Sequence, residues 1–394
     1  MAIDVELVRA DTPGLLRGVH LNHAGASPSP GPVLDTVIGH LRREAEVGGY
    51  EAAAERAEDL RGVYRSVGRM LGCSTEEVAL TESATRAWEL AFWSLPLGPG
   101  DVVLTTSSEY VSNALSLLLA RERRGVVVEV LPDGPDGAVD PAELARRLER
   151  GPAALVALTH VPTSGGLVNP AAEVGAVCRA AGVTYLLDAC QAAGQMDLDV
   201  TALGCDLLSA TGRKFLRAPR GTGFLYVRSG ILEQLRPPFI DAGSAVWTGP
   251  ETYEVLPGAT RFEAWERSWA NQLGLGAAVE YALALGLDEI AVRVTALGAG
   301  LRERLRELPG VTVHDRGTQR CGIVTFTVDG HGPGDVVQRL AGAGVRMWTV
   351  PAVAAQLDLG RRGLPEVVRA SVHYTSTEEE LDLVTNLVAE LPRA

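Results

Sequence analysis

The sequence predicts an α/β protein, with one large, doubly wound, mostly parallel sheet domain and a smaller α+β unit after it. Three observations lead there. From about residue 77 to 228, short apolar runs alternate with stretches of helical periodicity, the pattern of βαβ units. The runs are apolar throughout, as expected of strands covered by helices on both faces. Beyond residue 264 the pattern changes to long helices and then short strands. The expected bounds are 16–263 for the large domain and 264–394 for the small one, with residues 1–15 joining the latter.

Each element has its own signal. Residues 31–71 carry two helical patterns; in the first, Val33, Leu34, Val37, Ile38 and Leu41 recur at spacings of three and four and form one apolar face. The expected strands of the large sheet are 76–81, 101–106, 126–131, 153–159, 183–189, 206–211 and 223–227. Helices are expected between them at 83–95, 110–124, 141–150 and 170–182, the last closed by Gly182. Helices at 264–285 and 286–308 lead into a strand pair, VTVH and GIVTFTV. A helix at 332–343, strands at 345–349 and 366–373, and a helix at 377–391 complete the chain.

Composition narrows the function. With 46% apolar and 22% charged residues, the chain is an ordinary globular one. A net charge of −13 and no long basic tract argue against binding nucleic acid through its phosphates. No apolar run approaches the ~20 residues that cross a bilayer, and MAIDVELVRADTPG lacks the apolar stretch of a signal peptide. Five cysteines (Cys73, Cys178, Cys190, Cys205, Cys321) are scattered without metal-ligand spacing, so we expect no metal site, a reducing compartment and a cytoplasmic location.

In parallel α/β sheets, ligands sit at the carboxyl ends of the strands. Five expected strand ends deliver polar groups there: Thr81-Glu82-Ser83, Glu109-Tyr110, His160 to Thr163, Asp188 to Gln191, and Thr211 to Lys214. Of 36 basic residues only Lys214 is a lysine. Arginine replaces lysine wherever charge alone is needed, so a surviving lysine is a chance remnant or a site that needs an amine able to lose its proton. Asp188 ends an apolar strand, where a carboxylate requires a cationic or hydrogen-bonding partner; capping a helix is the alternative reading. A buried Asp facing a ring nitrogen and an imine-forming lysine are the two protein groups that pyridoxal phosphate needs most.

The stretches LLDACQAAGQ, DLLSATGRKF and GTGFLYV resemble the fold-type I, class V aminotransferase superfamily of pyridoxal-phosphate enzymes. Within it, EAEVGGY (44–50) is similar to hercynylcysteine sulfoxide lyases and related S-conjugate carbon–sulfur lyases of actinobacterial secondary metabolism. The resemblance implies that Lys214 binds pyridoxal phosphate covalently and moves the Cα proton. It also implies that Asp188 pairs with the ring nitrogen and that Gln191 contacts the ring hydroxyl. Ser83, Ala84 and Thr85 open a helix whose N–H groups suit a phosphate, completed by Thr211 and Arg213. Tyr110 stands where the family often stacks a histidine on the ring. In RASVHY, Arg369 matches the family arginine that grips the substrate α-carboxylate. Asn22 and His23, in LNHAGASPSP, and Thr163 are candidate substrate contacts, although the first segment also reads as a plain turn. Gly48-Gly49 either lets backbone approach the substrate or ends a helix.

The family's first steps are shared, so departures from it carry the choice of reaction. Desulfurases place a nucleophilic cysteine on a mobile loop shortly before the carboxylate-binding arginine. Residues 345–369 contain none, and Cys321 falls in an expected strand. The expectation is therefore β-elimination from an S-substituted cysteine, giving a thiol or sulfenate, pyruvate and ammonia. Aminotransfer or decarboxylating deamination is the alternative; a cysteine desulfurase or a non-catalytic homologue ranks below both. Trp247, Trp265, Trp269 and Trp348 either line a pocket for the sulfur substituent or fill core. The resemblance further implies a homodimer in which Gly243-Ser244 or Thr248 reaches the partner's phosphate.

Overall fold

The computed structural model describes residues 3–392; the outermost residues of the two expected terminal segments, 1–2 and 393–394, lie outside the described residues. The large sheet has seven strands: β1 Val78–Thr81, β2 Val102–Thr105, β3 Val127–Val130, β4 Leu155–Thr159, β5 Thr184–Asp188, β6 Leu207–Thr211 and β7 Gly223–Val227. Their order is β1-β7-β6-β5-β4-β2-β3. The strands from β3 to β6 pair in parallel, and β7 runs antiparallel to both β6 and β1. The central strands are buried at every residue but Thr184, which is half-buried, and this is why their sequences show no alternation. Each fully buried Leu or Val in them contributes about 1.5–3 kcal/mol.

The segment expected to hold two helices holds three, Gly31–Val47, Gly49–Glu55 and Ala57–Leu71. Gly48 separates the first two with φ at 103°, a backbone state open to glycine, so its local role is to end a helix. The expected apolar face of the first helix is only partly buried: Val33 is covered, but Leu34, Ile38 and Leu41 are exposed.

Four antiparallel strands make the second sheet: β8 Val311–Val313, β9 Ile323–Val328, β10 Trp348–Pro351 and β11 Glu366–Ser371, in the order β8-β9-β11-β10. The expected strand 345–349 is two strands. Val345–Arg346 pairs in parallel with Val19–His20, and β10 pairs with β11. Thus the N-terminal stretch returns to the small sheet, and Val19 and Leu21 share its core with Val324, Phe326, Val368 and Ala370. The helix Trp269–Leu285 contributes Leu275, Ala278, Val279 and Ala282 to the large-sheet core, and Leu287–Arg306 gives Leu297, Leu301 and Leu305 to the small one. On this packing we propose a boundary near Gly286 rather than at residue 264, with residues 19–21 on the small side. Among the described residues, no helix is long and apolar enough to cross a membrane.

Candidate active site

The carboxyl ends of β2, β4, β5 and β6 converge on one buried polar network. Glu109 lies at its base. Its Oε2 accepts from Thr105 Oγ1 at 2.7 Å. Its Oε1 accepts from Thr159 Oγ1 at 2.7 Å, the Tyr110 N–H at 2.9 Å and Asn113 Nδ2 at 2.9 Å. The same Asn113 amide donates to Asp188 Oδ2 at 2.8 Å, and the Cys190 N–H donates to Asp188 Oδ1 at 2.9 Å. Burial pushes both carboxyls above their usual range, and these donors pull them back; Lys214 adds a smaller downward pull on Asp188. The donor set thus favours the charged Asp188 that a protonated ring nitrogen would require.

Lys214 follows β6 in a turn closed by the Arg217 N–H donating to the Lys214 carbonyl at 3.0 Å. Its side chain is buried, with Nζ 5.9 Å from the centre of the Tyr110 ring. Burial depresses the Lys214 ammonium; the Cys190 thiol, within hydrogen-bonding reach, opposes this, and Arg213 and Arg369 add to it. An amine with a lowered proton affinity is the form that attacks a carbonyl carbon.

Arg369 is 5% exposed. Its Nη1 donates to Thr163 Oγ1 at 2.6 Å and to the Thr163 carbonyl at 3.2 Å, and Nη2 donates to Asn22 Oδ1 at 3.4 Å. Nε has no partner, and no Asp or Glu among the described residues pairs with the guanidinium. Burial and the neighbouring Arg213 push it down to about 10. A buried cation with only neutral acceptors is incompletely compensated, and a ligand carboxylate would supply what is missing. Gln191 Nε2 donates to the Ala24 carbonyl at 3.2 Å and to Thr163 Oγ1 at 3.4 Å, leaving Oε1 buried and unpartnered.

On the other side of Lys214, Ser83 caps the helix Ala84–Ser94, its Oγ accepting from the Arg86 N–H at 3.2 Å. The N–H groups of Ala84 and Thr85 fall in the first turn, where no helical acceptor exists. Gly223 lets β7 approach: a Cβ there would lie 2.6 Å from the Ser83 carbonyl carbon. Thr211 Oγ1 donates to the Thr222 carbonyl at 3.0 Å. Arg213 donates to the Gly25 carbonyl, and its own carbonyl accepts from the Ser27 N–H at 2.9 Å. The residues present fit pyridoxal phosphate: a depressed lysine, a buried Asp188 with two donors, an orphan Gln191 oxygen and a helix start.

His23 is fully enclosed, with Nδ1 on Ser27 Oγ at 2.8 Å and its ring edge-on to His20 and His373 at 4.7 and 5.0 Å. It packs in a buried ring cluster, with Nε2 enclosed and unpartnered, between Asn22 and Ala24, which bond Arg369 and Gln191. Of the tryptophans, Trp247, Trp265 and Trp348 are exposed, and Trp269 meets Tyr50 edge-on at 5.8 Å; none is core. The residues that sequence reasoning missed are Asn113, Cys190 and Arg217. Arg217 is enclosed, with φ at 63°, and donates to the Pro28 carbonyl at 3.1 Å, Tyr374 Oη at 2.7 Å and Thr12 Oγ1.

The segment after β10 is closely held. Ala355 and Leu359 bury against Val350 and Val367. Asp358 accepts from Ser164 Oγ at 2.7 Å and Arg362 Nη1 at 3.2 Å, with Arg316 Nη1 at 3.6 Å.

Fold and site together define a fold-type I pyridoxal-phosphate enzyme, and residues 19–384 match the aminotransferase class-V family, to which the chain belongs. Among its relatives, a cysteine desulfurase of Serratia proteamaculans is 31% identical over all of this chain and 98% of that one. The apo structure of a cysteine desulfurase from Thermococcus onnurineus NA1 superposes with a TM-score of 0.92 at 25% identity, covering 99% of this chain and 98% of that one. The cystine C–S lyase C-DES, solved with its reaction product cysteine persulfide, gives 0.86 at 25% identity over 96% and 99%.

Proposed function

We propose that this protein is a carbon–sulfur lyase that, with water as co-reactant, β-eliminates S-substituted cysteines to a thiol, or their S-oxides to a sulfenate, together with pyruvate and ammonia, in the manner of the actinobacterial S-conjugate lyases. Pyridoxal phosphate, when bound, supplies an acceptor for the electron pair released at Cα. Lys214 would hold it and take the Cα proton; Asp188 would serve the ring nitrogen, its charged form favoured by Asn113 and the Cys190 N–H against burial. Tyr110 would stack on the ring, Gln191 would contact its hydroxyl, and Ser83, Ala84, Thr85, Thr211 and Arg213 would hold the phosphate. Arg369 binds the substrate carboxylate, oriented by Thr163 and Asn22. The exposed Trp247 and Tyr253, on the hairpin Ala245–Val255, and the exposed Leu34, Ile38 and Leu41 support a homodimer.

The observation that favours elimination over sulfur transfer is the segment between Trp348 and Arg369. It contains no cysteine, and Asp358 ties it to Ser164, Arg362 and Arg316. Cys321 is enclosed, and burial pushes its thiol up to about 11, so it is a poor nucleophile. The desulfurase reading keeps one supporting observation besides the relatives, the Cys190 thiol beside Lys214. A single incubation separates the readings. Pyruvate from an S-alkyl cysteine without added keto acid means elimination. Alanine and transferable sulfur from cysteine mean desulfuration, and product only with a keto acid means aminotransfer. Either of the last two outcomes sinks the lyase reading.

A further inference from the structure

The two faces of the small sheet differ. Successive residues of a strand point to opposite sides. Val324, Phe326, Val368 and Ala370 point into the small unit's own core. Ile323, Thr325, Val350, Val367, Arg369 and Ser371 occupy the other face; Ile323 joins the large-sheet core, and Arg369 reaches Thr163 after β4. That face is therefore turned toward the large sheet, and all six of these residues are buried.

Trp348 lies on this inner face too. It stands directly opposite Arg369 in the β10–β11 register, so the two side chains leave the sheet side by side, with Cβ atoms about 4.5–5.5 Å apart. Yet Trp348 is 59% exposed. A lone exposed aromatic on an outer surface needs no explanation. One on an inward face, next to the buried arginine of the site, leaves its indole open to contact beside that arginine. Its strand pairs with β11 along its whole length, and Val350 joins the small core of Ala355, Leu359 and Val367, so the backbone that carries the indole is fixed.

We propose that Trp348 determines specificity by stacking its indole on a planar aromatic group carried by the substrate sulfur. This rests on the lyase reading above. An indole face favours offset stacking with a second ring. The charges nearest the carboxylate site, Arg369 and Arg213, act on each other as like charges, and they repel a cationic substituent as well. A small alkyl group leaves the indole uncovered.

The test titrates holoenzyme with S-benzyl-, S-methyl- and S-(2-aminoethyl)-cysteine and follows the change in cofactor absorbance. Wild type should prefer the benzyl compound over the other two. In Trp348→Ala that preference over S-methylcysteine should shrink about tenfold, the upper range of ring stacking, and Trp348→Phe should keep most of it. A wild type without the preference, an unchanged ratio in Trp348→Ala, or equal loss of both ligands overturns the proposal. The absorbance change is read in the stopped-flow phase before product forms, and pyruvate measured later in the same samples reports separately on the lyase reading.

Discussion

Replacing Asn113 by alanine tests the buried network under the site. The amide gives one hydrogen bond to Asp188 at 2.8 Å and one to Glu109 at 2.9 Å. A hydrogen bond to a charged group contributes about 1.5–3 kcal/mol. Glu109 would keep three donors, Thr105, Thr159 and the Tyr110 N–H. Asp188 would keep only the Cys190 N–H at 2.9 Å and the pull of Lys214. Most of the cost therefore falls on Asp188, and the expected net destabilisation is about 2–4 kcal/mol. The sign of its pH dependence follows from linkage. Burial already raises Asp188 above its unfolded value, and removing a donor raises it further. The native state then binds more protons than the unfolded chain in that window, so stability falls as pH rises through it. Urea unfolding of wild type and Asn113→Ala should show a difference that is larger at about pH 8 than at about pH 5. A difference below about 0.5 kcal/mol, or one equal at both pH values, would refute the assignment of Asn113 as the donor that keeps Asp188 charged.

Three further outcomes are expected. In cofactor-free protein, the depressed Lys214 leaves the unfolded chain with more bound protons, so the stability of wild type relative to Lys214→Met should rise with pH up to about 10.4 in paired urea titrations; a flat difference contradicts a buried, depressed amine. Gly223→Ala places a methyl 2.6 Å from the Ser83 carbonyl carbon and 2.8 Å from the Ala210 carbonyl oxygen; it should cost about 1–3 kcal/mol and weaken cofactor retention in equilibrium dialysis. Arg369→Lys keeps the charge but loses the fork; KM for an α-carboxylate substrate should rise about tenfold or more, and an unchanged KM removes Arg369 from the carboxylate site.

The sheet was legible because its central strands obey a single rule, burial on both faces, and the strand ends that carry Asp188, Thr211 and Lys214 followed from it. The helix Val111–Arg124 shows where that reasoning stops. Its buried side holds Asn113 and Ser116 beside Leu117, while Leu115 and Leu118 are exposed. Hydrophobic periodicity alone points such a helix the wrong way and hides Asn113, whose position four residues after Glu109 is the only local signal. The surroundings of His23 were hidden for another reason. A histidine among turn residues reads as functional, but three histidine rings meet only in the folded state. The first helix kept its apolar stripe, yet a single chain leaves Leu34, Ile38 and Leu41 uncovered, because a sequence pattern does not distinguish a core face from one awaiting a partner.

The buried Arg217 guanidinium joins Thr12, Pro28 and Tyr374 three residues beyond Lys214. Segments far apart in the chain thus act as one clamp on the turn that carries the reactive amine. A cut or an insertion near Thr12 or Tyr374 should therefore be felt as misalignment of Lys214 before it is felt as unfolding, so damage remote from the cofactor can silence the enzyme while leaving its sheets intact.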